Sequence, residues 1–295
     1  MKIFITGSSS CLAAALLPRL CARADVERVT CIDLRPARFQ HPRFRPSQAD
    51  IRSPQLGRLL DGHDALVHLA FVVLRGRMPA QEMFDINVNG SHKLFHAARR
   101  AGVTRFIHLS SAAVYGGGVH LGEDAPLMPP LRFLYACHNA HLEQLLEIEF
   151  PECVRLRPHF VLGPHAQPLF RQALNQPFYA RMPKPYPLVQ CVHEDDVARA
   201  VLLALGNDAR GPFNLATEDG FAFRDAIRRR HRLALPLPKF ALRAGAKLAW
   251  RHGGWNGDPE WVEALTRTLM VNCRRAHTGL GWKAEHDAAA TLAQT

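Results

Sequence analysis

Strand-like and helix-like segments alternate through the first two-thirds of this chain, and that alternation limits the fold more than any other feature. Lys2-Ile3-Phe4-Ile5 is apolar and β-prone, Thr6-Gly7-Ser8-Ser9-Ser10 is small and flexible, and Cys11-Leu12-Ala13-Ala14-Ala15-Leu16-Leu17 is helix-prone. Further strands are predicted at 29–33, 48–51, 65–70, 105–110 and 153–157, the last stopped by Pro158. Helical stretches lie between them, including 87–100, which Gly102 closes. Such spacing predicts an α/β chain with a doubly wound parallel sheet and helices on both faces. Pro18 falls inside the first helix and is expected to kink or break it.

The opening unit carries a chemical implication. A strand that delivers its carboxyl end to a helix amino terminus makes an anion site, because unpaired N–H groups and the positive end of the helix dipole converge there. This is the Rossmann-like layout of a first dinucleotide-binding unit.

At 295 residues with 47% apolar content the chain can bury one large α/β domain, or one domain and a smaller lobe. Residues 1–157 are assigned to a dinucleotide-binding domain. After Pro158 prolines become dense up to residue 187. Residues 158–295 are therefore expected to form mainly a smaller, interleaved carboxyl-terminal lobe on the substrate side. Within it, about 188–215 should return to the sheet, as a strand at 189–193 and a helix at 195–205. No apolar run approaches the ~20 residues of a membrane span, and the amino terminus leads directly into a strand, so no targeting segment is expected and a cytoplasmic location is the default. The seven cysteines include no C-x-x-C pair and read as small side chains in a reducing compartment.

Net charge is +11. Arg35, Arg38, Arg43, Arg45, Arg52 and Arg58 cluster after the second strand. An anionic ligand such as a nucleotide, nucleic acid, or a solvated face would each explain them; with no nucleic-acid motif present, no nucleic-acid partner is expected. Lys239, Arg243, Lys247 and Arg251 recur every four residues and line one helix face, read as the solvated face of a docked helix rather than a membrane-surface helix. His92 and His96 stand i,i+4, but the sequence offers no third ligand, so no metal is expected. Asp195 or Asp196, after His193, reads as a helix cap.

Several motifs occur in a fixed order: Asn87-Val88-Asn89-Gly90, then Phe106-Ile107-His108-Leu109-Ser110-Ser111-Ala112-Ala113-Val114-Tyr115-Gly116, with His68-Leu69-Ala70 before them. Leu156-Arg157-Pro158, Gly163-Pro164, Val192-His193-Glu194-Asp195-Asp196, Phe213-Asn214-Leu215-Ala216 and Leu280-Gly281-Trp282 follow. Together they resemble the extended short-chain dehydrogenase/reductase family, which includes NAD-dependent epimerases, dehydratases and hydroxysteroid-type dehydrogenases, and the resemblance covers nearly the whole chain. It implies a nicotinamide cofactor held by Gly7, Ser9, Ser10, Cys11 and Leu12, with Asp33 on the adenosine ribose. Asp50 and Ile51 should flank the adenine, and Leu69, Ala70 and Phe71 should line the cofactor's path. Asn87 and Pro158 complete the cofactor-side set. Asp33 favours NAD, while Arg35 and Arg38 leave NADP open.

The resemblance is broken twice. The family loop T-G-x-x-G-x-x-G has Ser10 and Ala13 at its second and third glycines. In the family, a serine holds the substrate oxygen and a Y-x-x-x-K pair moves the proton; Ser111 and Tyr135 match, but the lysine position holds Asn139. A neutral amide cannot stabilise tyrosinate as an ammonium does, though it can bond a ribose hydroxyl. His138 and His141, close by in sequence, can supply the charge if protonated. The expected activity is NAD(P)-dependent oxidoreduction or epimerisation at a secondary alcohol or carbonyl of a small molecule, such as a nucleotide sugar or a hydroxysteroid-like alcohol. The alternative is a catalytically impaired NAD(P)-binding regulatory or scaffold protein. The family also makes a homodimer an expectation.

Overall fold

Ile3 and Ile5 pack to one side of the first strand and Phe4 to the other, all three fully buried. Successive side chains of a strand face opposite ways, so apolar residues on both faces require cover on both. The computed structural model of the protein describes residues 1–74, 76–252 and 259–295. It supplies that cover. The opening strand, β1 (Lys2–Thr6), leads into α1 (Cys11–Ala22), then β2 (Arg28–Asp33), β3 (Phe44–Gln48), α2 (Leu56–Leu60) and β4 (Ala65–His68). Next come α3 (Ala80–Phe84), a π-helical turn Asp85–Gly90, α4 (Ser91–Arg100), β5 (Arg105–Leu109), a 3-10 turn Ala112–Tyr115 and β6 (Gly118–Leu121). Helix α5 (Leu134–Glu149) precedes β7 (Val154–Pro158) and β8 (Phe160–Leu162). Then follow α6 (Pro168–Asn175), β9 (Phe178–Arg181), β10 (Cys191–His193), α7 (Glu194–Leu205) and β11 (Gly211–Leu215). The chain continues through α8 (Phe223–Arg230), β12 (Leu235–Pro238), α9 (Lys239–Arg251), α10 (Trp261–Leu265), β13 (Leu269–Val271) and α11 (Ala288–Ala293).

Seven strands form one parallel sheet in the order β11-β7-β5-β4-β1-β2-β3. Helices α1 and α7 close one face around Ile3, Ile5, Leu16, Val197 and Val201. Helices α2, α4 and α5 close the other around Phe4, Leu60, Phe95, Leu142 and Leu146. The fold is the doubly wound, Rossmann-like α/β class expected, with the carboxyl ends of β1, β2, β4 and β5 opening onto one edge.

Several local expectations are corrected. The third strand is Phe44–Gln48, ahead of 48–51; its alternating Phe44, Arg45 and Ser47 gave a weak apolar signal at the sheet edge. The stretch 87–100 does not begin as an α-helix but as the π-helical turn. Pro18 sits inside an unbroken α1. Within 188–215, β11 joins the main sheet, whereas β10 pairs with β8 in a separate ladder. Pro168 does not block regular structure: it stands in the first turn of α6, where a missing N–H costs nothing. His193, not Asp195 or Asp196, caps α7, its Nδ1 accepting from the Asp195 N–H at 3.2 Å. Asp195 instead pairs with Arg19 of α1 at 2.9 Å. Buried Asp196 accepts the backbone N–H groups of Glu285 and His286.

The basic face of α9 is not wholly solvated. Lys239 Nζ meets Glu263 Oε2 at 2.7 Å, and Arg243 binds both Glu260 and Glu263, so α9 and α10 are clamped by charge. All seven cysteines are free. Among the described residues no helix is long and apolar enough to cross a membrane.

Candidate active site

The turn after β1 brings backbone against backbone. Gly7 has φ of +84°, and a Cβ there would lie 2.7 Å from the Ala70 nitrogen, so glycine is required on both conformational and steric grounds. Ser10, at the position of the family's second glycine, has φ −73° and ψ 158°, a conformation any residue adopts. Its Oγ caps α1, accepting the Ala13 N–H at 3.2 Å. The hydroxyl is thereby held at the helix mouth with its own proton left to donate outward, beside the first-turn amides of Cys11 and Leu12.

Asp33 ends β2 with each carboxylate oxygen engaged once: Oδ2 accepts from Ser9 N and Oδ1 from Arg35 N, both at 2.9 Å. Arg35 reaches back, its Nη2 donating to the Ser9 carbonyl at 2.9 Å. The glycine turn and the end of β2 are therefore one braced unit. Asp50 is held by Arg52 at 2.7 Å, which also reaches Asp85 at 3.1 Å, and the neighbouring Ile51 is buried against α4's end of the sheet. Those hydrogen bonds keep the Asp50 carboxyl below its ordinary range.

A crevice of about 160 Å³ at the sheet edge is lined by Ser10, Cys11, Leu12, Leu69, Phe71, Ser111, Tyr135 and Pro158. These residues come from five separate segments, at the ends of β1, β4, β5 and β7 and the starts of α1 and α5, brought together by the parallel sheet. Asn87 is not in that lining. It is fully buried and straps the loop after β4, accepting from Val72 N at 2.7 Å and donating to Val72 O at 3.1 Å.

Ser111 caps the 3-10 turn, accepting the Ala113 N–H at 3.2 Å. Tyr135 stands in the first turn of α5, its ring boxed by Phe71 at 5.9 Å, Phe133 at 5.9 Å and Trp261 at 5.4 Å between centroids. Burial pushes its hydroxyl pKa up, and the side chains of Ser111 and Asn139 pull it back only in part. Asn139 donates through Nδ2 to the Tyr135 carbonyl at 2.9 Å. Its Oδ1 is buried without a hydrogen-bond partner. His138 does not replace the lysine's charge. His138 is buried against Phe84 and Asn87, and burial lowers its pKa to about 4, which leaves it neutral near pH 7.

Beneath the crevice runs a polar network that the sequence did not disclose. Arg157 of β7 binds Glu143 of α5 through Nε at 2.9 Å and the Tyr115 hydroxyl through Nη1 at 2.6 Å. Ser110 Oγ donates to Glu143 at 2.5 Å, and the Tyr115 hydroxyl donates to Asn214 at 2.8 Å. This network locks α5, which carries Tyr135 and Asn139, to β5, β7 and β11. Trp261 of α10 and Arg267 just after it also reach the crevice; no motif around either marks them. At the surface, His92 and His96 are joined by Glu149, the third group the sequence could not place.

The family model of the NAD dependent epimerase/dehydratase family matches residues 3–216. The chain belongs to this family. Among curated relatives, a dTDP-glucose 4,6-dehydratase of Streptomyces griseus is 31% identical over 46% of this chain and 48% of its own length. A 3 beta-hydroxysteroid dehydrogenase/Delta 5-->4-isomerase of Mycobacterium tuberculosis is 30% identical over 43% of this chain and 36% of its own. The match thus spans about half or less of either relative. The crystal structure of DesIV, a dTDP-glucose 4,6-dehydratase from Streptomyces venezuelae with NAD bound, superposes with a TM-score of 0.75. It is 22% identical and the match covers 100% of this chain and 95% of that one, which establishes the shared fold.

NAD is the cofactor of the epimerase/dehydratase family, and the crevice fits it on structural grounds. The bare approach at Gly7 and the α1 amino terminus suit a diphosphate. The unpartnered Asn139 Oδ1 suits a ribose hydroxyl donor.

Proposed function

We propose that the protein is an NAD-dependent oxidoreductase or epimerase acting at a secondary alcohol or carbonyl of a small, largely apolar molecule. The observation that carries this reading is the convergence of Ser111, Tyr135 and the α1 amino terminus on one crevice. Bound NAD supplies a hydride acceptor or donor at its nicotinamide. In this reading Ser10 and the amides of Cys11 and Leu12 hold the diphosphate, Asp33 takes the adenosine ribose, and Asn139 orients the second ribose. Ser111 holds the substrate oxygen by hydrogen bond. Tyr135 takes the proton from the alcohol, or returns it to the carbonyl.

The crevice walls favour an apolar substrate over a nucleotide sugar. Phe71, Val73, Phe133, Phe160, Phe170 and Trp261 face it. On the other side of α10 lies a further cavity of about 390 Å³ whose lining includes Phe178, Met182, Leu237, Leu242 and Val262. Such walls exclude water and reward apolar surface. A sugar diphosphate would instead need several cations there.

One observation supports a second reading, an impaired NAD(P)-binding regulatory or scaffold protein: Tyr135 is raised in pKa, with an amide where an ammonium would lower it. The two readings separate in one experiment. NAD and NADP are titrated by thermal stability, which a ligand of the folded state must raise. Hydroxysteroids, terpenoid alcohols and nucleotide sugars are then offered with the bound nucleotide, and reduced cofactor is followed. Turnover of the apolar alcohols supports the enzyme; binding of NAD without turnover of any member supports the second reading.

A further inference from the structure

Helix α4 presents His92 and His96 one turn apart, and the last residue of α5, Glu149, rises between them. Glu149 Oε1 lies 2.9 Å from His92 Nε2, and Oε2 lies 2.8 Å from His96 Nε2. The two Nε2 atoms are themselves 3.2 Å apart. All three ligand atoms lie within 4.8 Å of one another.

Protons alone serve this arrangement poorly. If both Nε2 atoms carry hydrogen to reach the carboxylate, two donors face each other. If both rings are also charged, two cations crowd against a single anion. If one Nε2 is bare, its lone pair confronts a carboxylate lone pair. A single cation at the centre answers all three contacts. For tetrahedral zinc, with metal–nitrogen bonds of about 2.0–2.1 Å, neighbouring ligand atoms stand about 3.3 Å apart. The Nε2 pair already has that spacing, and the carboxylate has to open by roughly half an ångström.

The surroundings hold this tripod. The His96 ring stands edge-on to Phe150 at 5.2 Å, and Phe150 is covered by the Arg99 guanidinium at 3.7 Å. Arg99 is drawn to Glu152 at 2.6 Å, which leaves the Glu149 carboxylate to the histidines. The three side chains are 30–36% exposed, so water can take a fourth position.

We infer that His92, His96 and Glu149 form a binding site for a borderline divalent transition metal ion of the zinc class, remote from the crevice and independent of the proposed activity. Two imidazoles and one carboxylate suit such ions; calcium and magnesium prefer all-oxygen sites. The metal would fasten α4 to α5, the helix whose first turn carries Tyr135.

The test uses the full chain, free of affinity tags and treated with chelator, titrated with zinc chloride against a chromophoric competitor. The expected result is one equivalent bound tightly, with a rise in Tm. His92→Gln, His96→Gln and Glu149→Gln should each weaken that equivalent by about tenfold or more, whereas His277→Gln on another surface leaves it unchanged. Cobalt(II) in place of zinc should give the intense visible band of a four-coordinate site, lost in the same three variants. Thermal unfolding of each variant without metal shows that it folds. Zinc binding unaltered by all three substitutions, or no binding at about 100 μM zinc, well above what a three-ligand site requires, overturns the assignment.

Discussion

Asn139 turns its amide nitrogen onto the carbonyl of Tyr135, 2.9 Å away, and leaves its own oxygen buried without a partner. The residue in the family's lysine position is thus anchored to the backbone of Tyr135, the tyrosine proposed to move the proton, and presents an acceptor where an ammonium would present donors. Burial raises the pKa of Tyr135, and Asn139, being neutral, pulls it back only in part. Every prediction about turnover follows from that inversion.

Replacing Tyr135 with Phe removes the hydroxyl proposed to carry the proton and keeps the ring among Phe71, Phe133 and Trp261. Turnover should fall by about 10²–10⁴-fold, while NAD still raises the thermal midpoint. Parallel activity and thermal-shift measurements check both halves.

Asn139→Lys places an ammonium near the tyrosine hydroxyl. Opposite charge stabilises tyrosinate, so the pKa falls. In the direction of alcohol oxidation, activity needs the deprotonated tyrosine and rises with pH. The variant's rising limb should therefore move to lower pH, with higher turnover near neutrality. A pH–rate profile of both proteins decides it, and a limb that stays in place rules out Tyr135 as the titrating group.

Ser10→Ala deletes the cap on α1 and should cost about 1 kcal/mol of stability, read by denaturant unfolding. Ser10→Gly restores the family's glycine and should cost only a few tenths of a kcal/mol. Both lose the outward hydroxyl, so each should weaken NAD binding by about 2–10-fold, the equivalent of one hydrogen bond. Tighter binding by the glycine variant would mean that the hydroxyl crowds the cofactor.

Glu143→Gln removes the anion facing buried Arg157 and leaves Arg155, 3.6 Å away, with only the exposed Glu147 carboxylate at 3.9 Å. Breaking a buried pair from one side should destabilise by about 3–5 kcal/mol. Chemical denaturation measures the loss.

Much of this arrangement was legible in the chain. The apolar runs at β1, β2, β4, β5 and β7 announce a parallel sheet because each is covered on both faces, and Gly7 marks a turn only glycine can make. The edge strand β3 was misplaced because Arg45, Pro46 and Ser47 give an edge no apolar signature. The ordered motifs put Ser111 and Tyr135 in one site. The network around Glu143 was hidden, since a glutamate in a helix reads as solvated until the fold sets arginines from β7 beneath it. Trp261 was hidden for another reason: it arrives from a helix distant in sequence and belongs to no local pattern. Glu149 was invisible as a partner of His92 and His96 because the meeting of α4 with α5 is a tertiary fact.

Strand β11 pairs with β7 along Gly211–Leu215, after an excursion of the chain through α6, β9 and α7. A chain cut just after β7 would therefore bare this buried strand as a raw, hydrogen-bonding margin. The cofactor half, complete as it looks on paper, is finished only when later residues return to seal it. On the ribosome, that places the last step of sheet assembly after the intervening residues 159–210 have been synthesised.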